Sequence, residues 1–287
     1  MSPSGGVDPL YVLARRVLLD ALEALGPQRG AVILVGAQAV YLHTGPAGIA
    51  VAPYTTDADI ALNPDLLADS PQLGEMLQGA GFRPDARQVG TWLVTRALQG
   101  QDIDVVVDLL VPAAVGGEGR RGARLGPHGN RAARKAKGLE AVLVDNRKLT
   151  VRSLESADTR AYEIAAAGPA ALLVAKLHKI DERKGEPGRL QDKDALDVLR
   201  LLRSTGAQEL AASFQRLFAA RISEAVSREA VNLLKKHFSR PDSTGSMMAA
   251  RAAEPLENPD TTAASCAALA GELLEVLAQI PAANPQA

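Results

Sequence analysis

Two acids stand two residues apart in Thr55-Thr56-Asp57-Ala58-Asp59-Ile60-Ala61-Leu62, at the mouth of a short apolar run. Side chains on a β-strand alternate faces, so residues i and i+2 point the same way. Asp57 and Asp59 then lie side by side and repel unless a positive charge sits between them. A hard cation such as Mg²⁺, held by carboxylates and phosphate oxygens, is the usual answer. A second stretch, Asp102-Ile103-Asp104-Val105-Val106-Val107-Asp108-Leu109-Leu110-Val111-Pro112, puts Asp102, Asp104, Val106 and Asp108 on one face. Three acids on a strand face are costly unless they meet water or metal. One of them, Asp108 or Asp104, can complete a three-carboxylate site with Asp57 and Asp59.

Other stretches supply the parts such a site needs. Ala31 to Val35 is a buried-strand pattern, and Gly36-Ala37-Gln38 turns it into a helix reaching His43. Free N–H groups at a helix start bind anions, although an ordinary tight turn explains the glycine as well. Arg120, Arg121, Arg124, Arg131, Arg134, Lys135 and Lys137 crowd one glycine-broken segment opposed only by Glu118. That segment is either a solvated basic loop or a mobile arm for a polyanion. Lys176 falls on the apolar stripe Leu173, Leu177 and Ile180 of a helix from Pro169 to Glu182, with Lys179 one step away. It either snorkels along the core or aims into a cleft. The next helix, Gln191 to Arg203, opens with Asp192, Asp194 and then Asp197. Together these are the parts of a metal-dependent transfer to or from a nucleoside triphosphate. Two Mg²⁺ ions on three carboxylates would activate the attacking oxygen and neutralise the leaving pyrophosphate, with the lysine adding charge.

The positioning elements follow from periodicity. The expected helices are Asp8 to Leu25, Asp65 to Gly79, Gln208 to Ala220, Ser223 to Phe238 and Ala263 to Ile280; Asp57 to Leu62 is a strand and Thr91 to Leu98 with Ile103 to Val111 a hairpin. Ala141 to Val144 and Leu149 to Val151 read as short strands around a turn at Asp145-Asn146. Gly45 to Thr55, Gly185 to Gly188 and Ser239 to Thr262 read as loops, and from Asp158 onward the pattern turns helical. The expected fold class is α/β (α+β): a mixed sheet flanked by helices over residues 1–153, then a helical bundle over 154–287, with the active site in the cleft between them.

Composition narrows the function. The 287 residues carry a net charge of −1, which draws the chain neither to nucleic acid nor to membrane as a whole. Aromatic residues are 3% of the chain, so base stacking is not the main binding mode. Cys266 is the only cysteine. It excludes a disulfide framework and a zinc cluster and fits a reducing cytoplasm. No signal pattern and no uncharged apolar run of membrane-spanning length is present.

The order Gly36-Ala37-Gln38, Thr56-Asp57-Ala58-Asp59 and Val107-Asp108-Leu109-Leu110 resembles the polymerase-beta-type nucleotidyltransferase superfamily. The continuation Leu173-Val174-Ala175-Lys176-Leu177-His178-Lys179 and Asp192-Lys193-Asp194-Ala195-Leu196-Asp197 resembles its AbiEii/MenT group, nucleotidyltransferase toxins of toxin–antitoxin systems. The resemblance spans Ala31 to Arg203. It implies a nucleotidyltransferase fold in which Gly36, with Ala37 and Gln38, forms the phosphate turn, and Asp57, Asp59 and Asp108 bind Mg²⁺. It also implies Lys176 as the triphosphate or catalytic lysine, with Lys179 beside it and Lys193 as a rival, and Asp194 as the late acid, with Asp197 as its rival. The implied reaction adds a nucleoside monophosphate from an NTP to the tRNA 3′ end, with an antitoxin protein as partner. The chain departs from the usual Gly-Ser or Gly-Gly turn in having Gly36-Ala37, so the phosphate-binding hydroxyl is missing there. The alternatives are transfer to a small molecule or protein hydroxyl, and a catalytically inactive binding protein.

Overall fold

The computed structural model describes residues 8–45, 57–183, 192–254 and 256–280. The loops expected at Gly45 to Thr55 and Gly185 to Gly188 therefore lie, apart from Gly45, outside the described residues, as do Thr55 and Thr56. The chain divides into two compact units. The first holds residues 1–42, 54–136 and 146–167, and the second residues 43–53, 137–145 and 168–287.

The first unit is built on a mixed sheet. Helix α1 (Pro9–Ala24) starts at Asp8, whose carboxylate accepts from the Leu10 N–H at 2.6 Å, with Pro9 in the first turn. Such a cap is worth about 1 kcal/mol. Strand β1 (Val32–Val35) is buried throughout and runs directly into α2 (Gly36–Thr44). Strand β2 (Asp57–Leu62) pairs antiparallel with β1, setting Val35 opposite Asp59. Helix α3 (Leu73–Gly79) is half as long as expected, because Pro71 disfavours the helical conformation at Ser70 and lacks an N–H of its own. The segment before it is irregular apart from the 3₁₀ turn Pro64–Leu66. The Gln28 side chain holds it there, donating to the carbonyls of Ala68 (2.8 Å) and Pro71 (3.0 Å).

Strand β3 (Arg83–Pro84) borders β4 (Thr91–Leu98), which forms the expected hairpin with β5 (Gln101–Pro112). Strand β6 (Arg134–Ala136) runs parallel to the end of β5. Strands β7 (Asn146–Arg152) and β8 (Ala161–Ala167) form a second antiparallel hairpin, and β8 joins β1 in parallel. The order is β3-β4-β5-β2-β1-β8-β7, with β6 on β5. Three expectations are corrected here. The segment after Asp158 is first a strand, not a helix, and the Leu149 to Val151 strand extends over all of β7. Ala141 to Val144 is not a strand either; a 3₁₀ turn, Leu139–Leu143, occupies it.

The second unit is helical: α4 (Pro169–Arg183), α5 (Asp192–Ser204), α6 (Ala207–Ala219), α7 (Glu224–Phe238), α8 (Thr244–Ala253) and α9 (Pro259–Ala278). The start of α4 is capped from a distance, the Asp145 carboxylate accepting from the Ala171 N–H at 3.0 Å. Helix α8 replaces the loop expected at Ser239 to Thr262. Its inward face is Gly245, Ser246, Met248, Ala249, Ala250 and Ala253, all buried and all but Met248 small. Small residues let α8 approach its neighbours closely; a Cβ on Gly245 would stand 2.5 Å from the Phe238 ring. Helix α9 is long and apolar enough by composition to cross a membrane, yet it carries Glu272 and Glu275 and turns Cys266, Ala270 and Leu273 into the helical core. Burial pushes the Cys266 thiol up to about 12, so it is an unreactive core residue, as its position in the apolar stripe suggests.

Candidate active site

The acids gather at one place on the sheet of the first unit. Strand β2 runs parallel to β5 with Asp57 opposite Val106 and Asp59 directly opposite Asp108. Neighbouring strands lie roughly 4.8 Å apart, so Asp59 and Asp108 are adjacent on one face and Asp57 is two residues along it. The alternation places them: Ala58, Ile60, Val107 and Leu109 are fully buried, whereas Asp57, Asp59 and Asp108 are half-buried. Asp104 is the acid the structure sets apart. It stands on an exposed stretch of β5 opposite Thr95, where the Thr95 hydroxyl (2.6 Å) and Arg83 (2.5 Å) hold it. Those two donors lower its carboxyl below the ordinary range.

The glycine turn closes on the same acids. Gly36 has φ +69°, a left-handed backbone that disfavours any side chain. A Cβ there would sit 2.1 Å from Asp59 Oδ2. The backbone at the start of α2 is thus pressed against the Asp59 carboxylate, and only glycine leaves room. Gly36→Ala is expected to cost about 1–2 kcal/mol for the backbone alone, and to displace Asp59 as well. Thermal unfolding and transfer activity check this together; an unchanged midpoint with full activity would show that the turn does not shape the site.

Ala37 and Gln38 are buried in the first turn of α2. The Gln38 amide is already engaged: Arg15 Nε donates to its Oε1 at 2.7 Å. Arg15 is itself buried, donating also to the Tyr11 hydroxyl (2.8 Å) and the Arg152 carbonyl (3.1 Å). Burial holds the Arg15 guanidinium below its usual range. Arg15 gave no signal in the sequence beyond a basic residue on an otherwise apolar helix face.

Asp108 has two partners that sequence reasoning did not connect to it. The Thr91 hydroxyl donates to Oδ1 at 2.6 Å, and Arg134 Nη2 donates to Oδ2 at 2.5 Å. Arg134 belongs to the basic segment, which the structure shows to be a packed loop rather than an open arm. Ala123, Leu125, Ala132 and Ala133 are buried, the Trp92 indole donates to the Ala132 carbonyl at 2.9 Å, and Lys135 Nζ bonds the Gly117 and Gly119 carbonyls. Arg120, Arg121, Arg124 and Arg131 remain exposed on its outside. Arg120, Arg124, Asn130 and Arg131 line a shallow cavity of about 270 Å³ together with Glu118. Backbone bonds from Gly90 to Arg131 and from Leu109 to Gly90 tie this loop to the strand end beside Asp108.

Lys176, Asp194 and Asp197 lie inside the helical unit. Lys176 is 5% exposed, and its Nζ donates to Asp194 and Asp197 at 2.7 Å each. Lys179 and Arg183 approach Asp194 at 3.3 Å, and Arg200 reaches Asp197 at 3.0 Å. Burial alone would lower the Lys176 pKa, but the two carboxylates outweigh it and hold the ammonium above the ordinary lysine range. Burial would raise the Asp194 carboxyl, and Lys176, then Lys179, outweigh that and hold it well below the carboxylate range.

A family model described as Nucleotidyltransferase matches residues 15–222, most of the chain, including every candidate acid and lysine above. The chain belongs to that family. This nucleotidyltransferase also aligns with the crystal structure of a candidate nucleotidyltransferase from H. pylori, with a TM-score of 0.47 and 12% identity, over 95% of this chain and 98% of the other. No curated protein matches it. Family members generally use an NTP and a divalent metal. Among the described residues no group of three His, Cys, Asp or Glu side chains converges as a ready metal cage. The donor chemistry nonetheless fits a divalent ion: Asp57 and Asp59 share a half-exposed face beside a glycine cradle that a single Cβ would fill.

Proposed function

We propose that this nucleotidyltransferase moves a nucleoside monophosphate from an NTP onto a hydroxyl of RNA, the tRNA 3′ end being the acceptor that the AbiEii/MenT resemblance implies, and that it acts as a toxin held in check by an antitoxin. The observation that carries the reading is the register of Asp59 on Asp108 next to the Gly36 turn. It gathers the Asp57 and Asp59 carboxylates and the start of α2 at one corner of the sheet, beside an Asp108 held by Thr91 and Arg134, which suits a nucleoside triphosphate with its cation. The acceptor oxygen bonds to the α-phosphorus, the bond from that phosphorus to the β-bridging oxygen breaks, and pyrophosphate leaves. The acceptor's proton passes to water or to a carboxylate of the site. A divalent ion, when bound, assists by neutralising charge on the phosphates.

Support for a polyanionic acceptor comes from the exposed arginines tied to the same strand end. Arg134, Lys135 and Lys137 have internal duties, on Asp108, on the glycine carbonyls and on Glu229. That leaves Arg120, Arg121, Arg124 and Arg131 for phosphate contacts, with only Glu118 near Arg124, at 3.8 Å. RNA binding is expected to weaken with salt, and Arg120→Ala/Arg124→Ala/Arg131→Ala to flatten the log–log slope by roughly 2, at roughly 0.7 per single-strand phosphate. A slope identical to the parent's would exclude the patch. On this reading the protein works in the cytoplasm, with NTP and tRNA as its substrates.

Incubation with total tRNA and each α-labelled NTP, with and without Mg²⁺, tests the reading. Label on the RNA 3′ end that requires the metal supports it. Label only on a protein or small-molecule hydroxyl replaces RNA as the acceptor, and no transfer to any acceptor leaves a binding protein.

A further inference from the structure

Both oxygens of Asp108 are taken by the protein itself, Oδ1 by Thr91 and Oδ2 by Arg134. The backbone of the arginine is held in place. It starts β6, paired in register with Leu110, and Gly122 bridges it from the other side. Gly90 packs so tightly beside it that a Cβ would stand 2.4 Å from the Arg134 N. The ion pair is half-buried, with the Asp108 side chain 13% and the Arg134 side chain 31% exposed. A guanidinium does not give up its proton in a protein. Its charge next to Asp108 therefore opposes any second cation there, over a distance at which solvent screens weakly.

Resting on the nucleotidyl-transfer reading above, we propose that Arg134 serves as a built-in cation at Asp108, so that this site takes one divalent ion, on Asp57 and Asp59, instead of two on all three acids. Asp108 is then a positioning residue. It anchors Arg134, and through it the basic loop, beside the acid pair. Arg134 leaves one donor over: its Nε is buried and meets no acceptor within the protein. A phosphate oxygen of the bound nucleotide is the group that such a donor would accept.

Mn²⁺ binding to the full chain, followed by the electron paramagnetic resonance of free Mn²⁺ in the presence of a non-hydrolysable NTP analogue, tests this without relying on turnover. The parent is expected to bind one ion, and Asp108→Asn to bind one ion with affinity within about threefold of the parent. Arg134→Gln is expected to bind a second ion, and Arg134→Lys, which keeps the charge, to stay at one. Two ions on the parent, a loss of binding in Asp108→Asn, or an Arg134→Gln protein indistinguishable from the parent would each overturn the proposal. Should Arg134→Gln not fold, Asp108→Asn decides alone. If neither the parent nor any variant binds Mn²⁺, the nucleotidyl-transfer site itself is misassigned, an outcome distinct from the parent binding two.

Discussion

Asp57→Asn and Asp59→Asn are each expected to reduce nucleotidyl transfer by about a hundredfold to a thousandfold, the scale on which losing one preorganised electrostatic partner of a transition state is felt. The double variant is expected to be inactive. Each substitution keeps the shape and one carbonyl oxygen and removes only the charge. The strand itself does not depend on that charge, because β2 is held by its buried residues Ala58, Ile60, Ala61 and Leu62 and by pairing on both sides. The measurement is label incorporation beside thermal unfolding of the same preparations. An asparagine variant that melts normally and transfers at the parent's rate would remove these two acids from the chemistry.

The largest stability effect belongs to Lys176. Its ammonium is the shared partner of Asp194 and Asp197, both 1% exposed. Lys176→Met leaves two carboxylates buried with only the flanking cations of Lys179, Arg183 and Arg200, and breaking a buried pair in this way costs about 3–5 kcal/mol. Urea unfolding checks the figure. The triple change Lys176→Met/Asp194→Asn/Asp197→Asn is expected to recover most of the loss, since burial without charge is far cheaper. Equal losses in the single and triple variants would show that packing, not charge, sets the cost.

The pH dependence follows from the signs. Asp194 has a depressed pKa, so its contribution is complete above the unfolded carboxylate value of about 3.9 and is lost as pH falls through the folded value. Lys176 has a raised pKa, so its contribution is complete below about 10.4 and is lost only as pH rises through the folded value. Their share of stability is therefore flat between these limits.

The grouping of the candidate acids with the glycine turn was legible in the sequence, and the contacts that support it were not. Asp57, Asp59 and Gly36 announce themselves because strict alternation and a strand-ending glycine are local patterns. The register that selects Asp108 over Asp104 as the neighbour of Asp59 depends on the pairing of β2 with β5, which no local pattern encodes. The same holds for Arg134. Its contact with Asp108 spans 26 residues and arises from one short parallel pairing, so in the sequence it is indistinguishable from the other arginines of its loop. Helix α8 was hidden for a different reason: apart from Met248 its buried face is made of Gly, Ser and Ala, which do not register as an apolar stripe. Strand β8, Ala161-Tyr162-Glu163-Ile164-Ala165-Ala166-Ala167, is rich in residues that disfavour strands on their own. Its place beside the buried β1 overrides that preference.

That last strand also governs the order of assembly. The sheet that carries the acids is closed by a segment that leaves the ribosome a hundred residues and more after β1, following an excursion in which residues 137–145 join the other unit. Until β8 emerges, β1 has a partner on one side only and offers a row of unpaired backbone groups on the other, a template for pairing with another chain. Long-range pairing of this kind forms slowly, since the intervening loop must close before any contact stabilises it. A nascent chain that has passed β5 but ends before residue 161 therefore holds Asp57, Asp59 and Asp108 on a sheet with an open inner edge. The second side of β1 is covered only when β8 emerges.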